Sequence, residues 1–155
     1  MPKQKTLAQA YEECEVGGMF KDQELVEIDK INTIIQISQT NISVAEQIKK
    51  SLGKTSLEWS VVYKLYYDAI NGLADALVRF DKKKIPNHQC LFAYLCFKFS
   101  ELDLSWDFFE LIRTKRNGLN YYGTLINYED WKKAEIQFKL YIKTIKEELN
   151  KKLTK

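Results

Sequence analysis

The sequence has few of the residues that break regular structure, with six glycines and two prolines in 155 residues. An all-β chain of this length would need many turns, so this scarcity argues against that class. No uncharged run approaches the roughly 18 apolar residues of a membrane span. There is one histidine, His88, and no Cys-x-x-Cys pair, which argues against a zinc site. We therefore expect no membrane contact, no metal and no cofactor.

Cysteine is scarce as well. Cys14, Cys90 and Cys96 make an odd count without a close pair. Such a set does not predict a disulfide framework, and it favours a reducing cytoplasm. We interpret Cys90 and Cys96 as core thiols, because free cysteine is among the most buried residue types. The basic N-terminus lacks an apolar core, so we expect no signal peptide and predict a cytoplasmic location.

The composition is that of an ordinary soluble domain, with 45% hydrophobic and 29% charged residues. The net charge of +3 permits contact with RNA or DNA without requiring it, since nucleic-acid-binding proteins usually carry a denser basic face. We divide the chain into an N-terminal extension, residues 1–21, expected to be partly mobile, and a helical domain, residues 22–155. Within the extension, the pattern around Leu7 predicts a short helix that Gly17 ends.

From about residue 22 the apolar residues recur at spacings of three and four, the pattern of helices with one buried face. Between Ile35 and Ile42 the pattern loses phase at a polar stretch, residues 38–41. Either one helix bends there or two helices meet. The next helix follows a capping-box pair, Thr55 and Glu58. Its two adjoining apolar stripes predict that it lies at the centre of the fold.

The remaining helices are predicted from their caps. Asn87 can cap the segment that contains residues 90–97, an apolar run that we assign to helix because the sequence offers no partner strand. Ser105 caps a short helix, and Asn127 with Asp130 forms a capping box at the start of the last one. The predicted fold class is therefore all-α, an up-and-down antiparallel bundle of four to five helices.

One stretch gathers cations, amides and phenols. Residues 113–122 contain two arginines, two asparagines and two tyrosines. Guanidinium groups beside neutral hydrogen-bonding side chains suit phosphate recognition. The stretch also fits a helix C-terminus, with basic side chains near the negative end of the dipole and Gly118 as the stop signal. Spacing alone does not decide between these interpretations.

Three stretches together resemble the HEPN superfamily, helical domains often encoded beside minimal nucleotidyltransferases in archaea and bacteria. They are residues 65–77, residues 88–95 and residues 113–123, and their order and spacing cover roughly residues 25–150. The resemblance implies a helical bundle that dimerises through its motif helices. In many members an arginine, the polar residue after it and a histidine four to six places on form a metal-independent ribonuclease site.

Carried onto this sequence, the resemblance implies that Arg116 is the arginine and Asn117 its polar neighbour, whereas Tyr121 stands at the position of the histidine. An imidazole that titrates near pH 6.5 suits removal of the 2′-hydroxyl proton. A phenol with a pKa of about 10 is only ~0.1% ionised at neutral pH, so we expect efficient cleavage to be lost. His88 is the other candidate base, although its spacing does not require it to lie near Arg116.

The leading hypothesis is a nucleotide- or RNA-binding domain, dimeric, that works with a nucleotidyltransferase partner in a toxin–antitoxin-like system. The arginines would bind phosphate, the asparagines would orient it, and a tyrosine would stack on a base or bond a phosphate. The resemblance also implies that a motif tyrosine accepts a nucleotide from the partner, with Tyr122 as first candidate. The candidate ligand-binding residues are Arg113, Arg116, Asn117, Asn120, Tyr121, Tyr122 and His88.

Two alternatives stay open at this point. The first is an endoribonuclease toxin, in which Arg116, Asn117 and Tyr121 would be catalytic, or His88 would supply the base. The second is a protein-interaction bundle whose motif only holds the dimer. Cleavage in the presence of a chelator separates the first from pure binding, and a lack of any nucleotide or RNA binding identifies the second.

Overall fold

The computed structural model describes residues 4–155, so residues 1–3 of the predicted extension lie outside it. The α-helices in this range are α1 (Leu7–Val16), α2 (Ile28–Lys49), α3 (Trp59–Arg79), α4 (His88–Lys98), α5 (Trp106–Tyr122) and α6 (Tyr128–Leu153). Two short strands, β1 (Lys21–Asp22) and β2 (Lys83–Lys84), pair antiparallel, and one 3-10 turn (Ser100–Leu102) joins α4 to α5. The predicted all-α class is confirmed, with one helix more than the expected four to five. None of the helices in residues 4–155 has the length and apolar character to cross a membrane.

Helix α3 lies at the centre of the fold, as its two apolar stripes predicted. It packs against α2, α4, α5 and α6, and most of its side chains are buried. Contacts of Tyr66 with Glu46 and of Gly72 with Ser38 show that α2 runs antiparallel to α3. The ring of Trp59 lies 5.0 Å from that of Tyr128, so α3 and α6 start at the same end of the bundle.

The polar stretch at residues 38–41 lies within one continuous helix, α2, at the point where α2 crosses α3 closely. Ser38 is buried, and a Cβ added to Gly72 of α3 would lie 2.4 Å from its Oγ. A small polar residue therefore faces a glycine where the two helix backbones approach each other. The hydrophobic pattern lost phase because this contact needs little side-chain volume. Of the two alternatives, the junction of two helices is wrong, because α2 is continuous from Ile28 to Lys49.

Most of the predicted helix starts are confirmed by side-chain caps, those of Asn87, Ser105 and Asn127. The capping box predicted from Thr55 and Glu58 is wrong. Helix α3 begins at Trp59, and the side chain of Glu58 makes no capping hydrogen bond. Instead the Gly53 amide donates to Ser56 Oγ at 3.0 Å, which closes a turn just before the helix.

The predicted short helix around Leu7 is confirmed as α1, which ends at Gly17. It packs on α4, and a disulfide joins Cys14 to Cys90. The expectation of no disulfide, and of a free thiol at Cys90, is therefore wrong, because the two cysteines are 76 positions apart and only the packing of α1 brings them together. Cys96 is a free buried thiol, as expected. The division at residue 21 and the mobility of the extension stay predictions.

Candidate functional site

The stretch of cations, amides and phenols, residues 113–122, lies in the second half of α5 and not at a helix end near Gly118. The helix continues through Gly118 and ends at Gly123, whose φ of 63° is the left-handed conformation that favours glycine. Its last turn holds no basic residue, so the interpretation of the arginines as dipole partners at a C-terminus is wrong. Residues spaced by three and four share a helix face, and this spacing places Arg113 and Arg116 with Asn117 and Asn120.

This face borders a cleft of about 450 Å³ between α5 and the start of α4. The cleft brings His88 together with Arg116 and Asn117, 28 and 29 positions further along the chain. The first N–H groups of α4 carry partial positive charge at its N-terminus, which borders the same cleft. The lining residues are Pro86, Asn87, His88, Gln89, Arg113, Arg116, Asn117 and Tyr121.

Arg116 is the available cation of the cleft. Its guanidinium carbon lies 5.4 Å from the centroid of the Tyr67 ring, an arrangement that attracts a cation to the ring face. With the amide oxygen of Asn120 turned toward Arg116, that oxygen accepts hydrogen bonds from Nε at 3.1 Å and Nη1 at 3.2 Å. Among the described residues, no carboxylate forms an ion pair with Arg116. Its charge is therefore positioned but not neutralised by a direct partner.

Arg113 differs from Arg116 because it already has a carboxylate partner. Its Nε and Nη2 donate to the two oxygens of Glu110, both at 2.9 Å. The Glu110 carboxylate is buried and also accepts from the Gln89 amide at 3.1 and 3.2 Å. A bidentate pair of this kind fixes the guanidinium and cancels most of its charge. Arg113 lines the cleft, yet its paired guanidinium should attract an anion much less strongly than that of Arg116.

His88 is held by Tyr67, whose hydroxyl lies 3.0 Å from Nδ1. Tyr67 is fully buried, and His88 is its one hydrogen-bond partner among the described residues. With the Tyr67 hydroxyl donating to Nδ1, the hydrogen of the neutral imidazole lies on Nε2. Burial lowers the pKa of His88, and the nearby charges of Arg116 and Arg113 lower it further. At neutral pH the imidazole is an uncharged donor.

Asp68 of α3 adds a negative charge to this cluster. Burial raises the pKa of its carboxyl, while Arg116, Lys64 and His88 act in the opposite direction. Asp68 and Tyr67 both lie in residues 65–77, yet sequence reasoning placed neither at the site. The available signal was an acidic residue inside the run of apolar and aromatic residues 65–70 of the central helix.

The two tyrosines of the motif face solvent. Tyr121 lines the cleft and is 73% exposed, whereas Tyr122 is 82% exposed and lies outside the lining. Neither ring is part of the hydrophobic core. Tyr121 therefore has the freedom to stack on a ligand in the cleft, and Tyr122 is accessible to a partner enzyme but does not border the cations.

The groups of the cleft are mainly hydrogen-bond donors: the Arg116 guanidinium, the His88 Nε2–H and the Asn117 amide. Such a set is suited to the oxygens of a phosphate. Residues 4–155 hold no group of three or more histidine, cysteine or acidic side chains arranged to bind a metal ion. Comparison with protein-family models, curated proteins and solved structures found no match.

Proposed function

We propose that this protein binds a nucleotide or single-stranded RNA through a phosphate group held in the cleft between α4 and α5. The observation that carries the proposal is the pairing of Arg116, which has no carboxylate partner within the described chain, with the Nε2–H donor of His88 in one cleft. Asn117 supplies a further amide, and the exposed ring of Tyr121 supplies a stacking surface for a neighbouring base of an RNA strand.

The same proposal includes the oligomeric state, the location and the partner of the protein. We propose a homodimer in the cytoplasm that works with a nucleotidyltransferase in a toxin–antitoxin-like system. Tyr122 is the proposed acceptor of a nucleotide. The accessibility of its phenol to another protein supports this role. Size-exclusion chromatography with light scattering tests the dimer, and incubation with such an enzyme and labelled ATP tests transfer to Tyr122 against Tyr122→Phe.

Binding of fluorescein-labelled single-stranded RNA and of ATP tests the phosphate site directly. Arg116→Gln should weaken both by at least tenfold and reduce the salt dependence by about one phosphate contact, a slope of roughly 0.7 for a single strand. Arg116→Lys should retain part of the affinity, because it keeps the charge but loses the guanidinium fork. Lys133→Gln, an exposed lysine of α6 outside the cleft lining, is the control and should bind like the wild type.

An endoribonuclease remains the second candidate, because the cleft brings a histidine to Arg116 and Asn117. In the arrangement described, Nδ1 accepts from Tyr67 and Nε2 carries the hydrogen, so the imidazole has no free lone pair to remove a 2′-hydroxyl proton. Binding without cleavage is therefore the favoured outcome. Cleavage of RNA in EDTA that is lost in both His88→Gln and Arg116→Gln would establish the nuclease instead.

A further inference from the structure

A second cleft adjoins the first and has a volume of about 540 Å³. Gln89 and Arg113 line both clefts, so these two side chains form a common wall. The surface of the first cleft is mainly polar and that of the second is mainly apolar. Two neighbouring clefts that differ in this way suit a ligand with two chemically different parts. The other residues that line the second cleft are Gln4, Lys5, Asp107, Glu110, Leu111 and Thr114.

The orientation of the Gln89 amide is fixed by a buried carboxylate. Its Nε2 donates to both oxygens of Glu110, at 3.2 and 3.1 Å, and Glu110 is itself held by the Arg113 fork. Since Nε2 is committed to Glu110, Oε1 remains as an acceptor, and no donor bonds it within the described residues. Turning the amide over would place Oε1 against the carboxylate, which is unfavourable. Gln89 therefore has a carbonyl oxygen that is free to accept a hydrogen bond from a ligand.

We infer that the second cleft binds the base of a nucleotide, and that Gln89 Oε1 selects bases with an exocyclic amino group. This inference rests on the proposed function, since the phosphate of the same nucleotide occupies the first cleft. Leu111, 46% exposed, offers apolar surface to the face of the base, and the Asp107 carboxylate adds an acceptor. Adenine and cytosine carry an amino group where hypoxanthine and uracil carry a carbonyl, which Oε1 would repel.

The test compares AMP with IMP, which differ at this position of the purine, by isothermal titration calorimetry. The wild type should bind AMP about tenfold more tightly than IMP, the discrimination expected for one hydrogen bond gained against one repulsive contact. Gln89→Met should bind the two nucleotides equally. Ribose 5-phosphate, which lacks a base, should still bind Gln89→Met, and its affinity measures separately any effect of the variant on the phosphate cleft that Gln89 also lines. Gln47→Met, an exposed glutamine of α2, is the matched control.

The outcomes separate the two proposals. If neither nucleotide nor ribose 5-phosphate binds, the proposed phosphate site is wrong and the base site fails with it. If AMP and IMP bind the wild type equally, the phosphate site stands and the role of Gln89 is overturned. A preference for AMP that persists in Gln89→Met also overturns it, because another group would then read the base.

Discussion

At the scale of single residues, the protonation of His88 is the property that most affects the chemistry of the cleft. We expect its pKa, followed by NMR of the imidazole, to lie below 6.5, because burial and the two arginines disfavour the charged ring. Arg116→Gln should raise this pKa and Asp68→Asn should lower it, since the two side chains act in opposite directions. A pKa above 6.5 in the wild type, or the same shift in both variants, would contradict the arrangement.

Because the pKa of His88 is lower in the folded protein than in the unfolded chain, this residue also makes the free energy of unfolding depend on pH. The folded protein binds this proton less readily than the unfolded chain, so the contribution of His88 is present above pH 6.5. It is lost as the pH falls from there through the lower pKa of the folded state. His88→Gln should remove that part of the pH dependence between pH 7 and 5, which urea denaturation at several pH values measures.

Asp68 provides a prediction about binding that is opposite to that for Arg116. Its charge acts on Arg116 and on His88, and it therefore opposes a phosphate in the cleft. Asp68→Asn should strengthen binding of ATP and of RNA several-fold, and the gain should shrink as salt rises. Glu129→Gln, an exposed acidic residue of α6, is the control for net charge. Equal gains in the two variants would mean that Asp68 acts through overall charge and not at the site.

The cations of the site were recognisable in the sequence, but their partners were not. Arg116 and Asn117 stand in one stretch, where the combination of residue types suggested phosphate. His88 and Tyr67 are separated from them along the chain and meet them only because α3 and α4 pack against α5. Likewise, nothing in the spacing distinguishes the paired Arg113 from the unpaired Arg116. That difference depends on the buried position of Glu110.

At the scale of the helices, the close crossing of α2 and α3 depends on Gly72. An alanine there would bring its Cβ to 2.4 Å from Ser38 Oγ, so the serine must turn away or the helices must separate. We expect Gly72→Ala to lower the free energy of unfolding by about 1–3 kcal/mol, the usual cost of overpacking. Urea denaturation measures this change.

A double variant gives the control for that prediction. Ser38→Ala removes the oxygen and leaves a Cβ that the added methyl would meet at 3.8 Å, an ordinary contact. The pair Gly72→Ala with Ser38→Ala should therefore recover the lost stability and gain up to about 1 kcal/mol from helix propensity. A stabilising effect of Gly72→Ala alone would show that Ser38 accommodates the methyl freely.

The helices themselves were largely predictable, because period and caps agree at Asn87, Ser105 and Asn127. The errors arose where one sequence pattern is compatible with two different structures. Gly118 was a plausible stop, but an interior glycine costs a helix only about 1 kcal/mol, and Gly123 takes the left-handed conformation instead. The polar residues 38–41 resembled a helix junction, because a crossing with a glycine leaves no hydrophobic signature.

At the scale of the whole molecule, the bond between Cys14 and Cys90 ties α1 to the helix that carries His88. It closes a loop with a sequence separation of 76, for which chain entropy predicts at most about 4.5 kcal/mol of stabilisation. We expect a dithiol reductant to lower the free energy of unfolding by about 2–4 kcal/mol. Guanidinium denaturation with and without the reductant measures it, and the double variant Cys14→Ser with Cys90→Ser should not respond.

Thiol labelling of the native protein checks the pairing independently and bears on the compartment. Burial raises the pKa of the Cys96 thiol to about 12, so this cysteine should react with iodoacetamide only after unfolding. Protein purified with its disulfide intact should therefore show no reactive thiol when native and one when unfolded. Three thiols after unfolding without reductant would mean that the pair is reduced, as expected in the cytoplasm. The packing of Leu7, Ala10 and Tyr11, with the hydrogen bond from Trp106 Nε1 to the Lys5 carbonyl, would then hold α1 against the bundle.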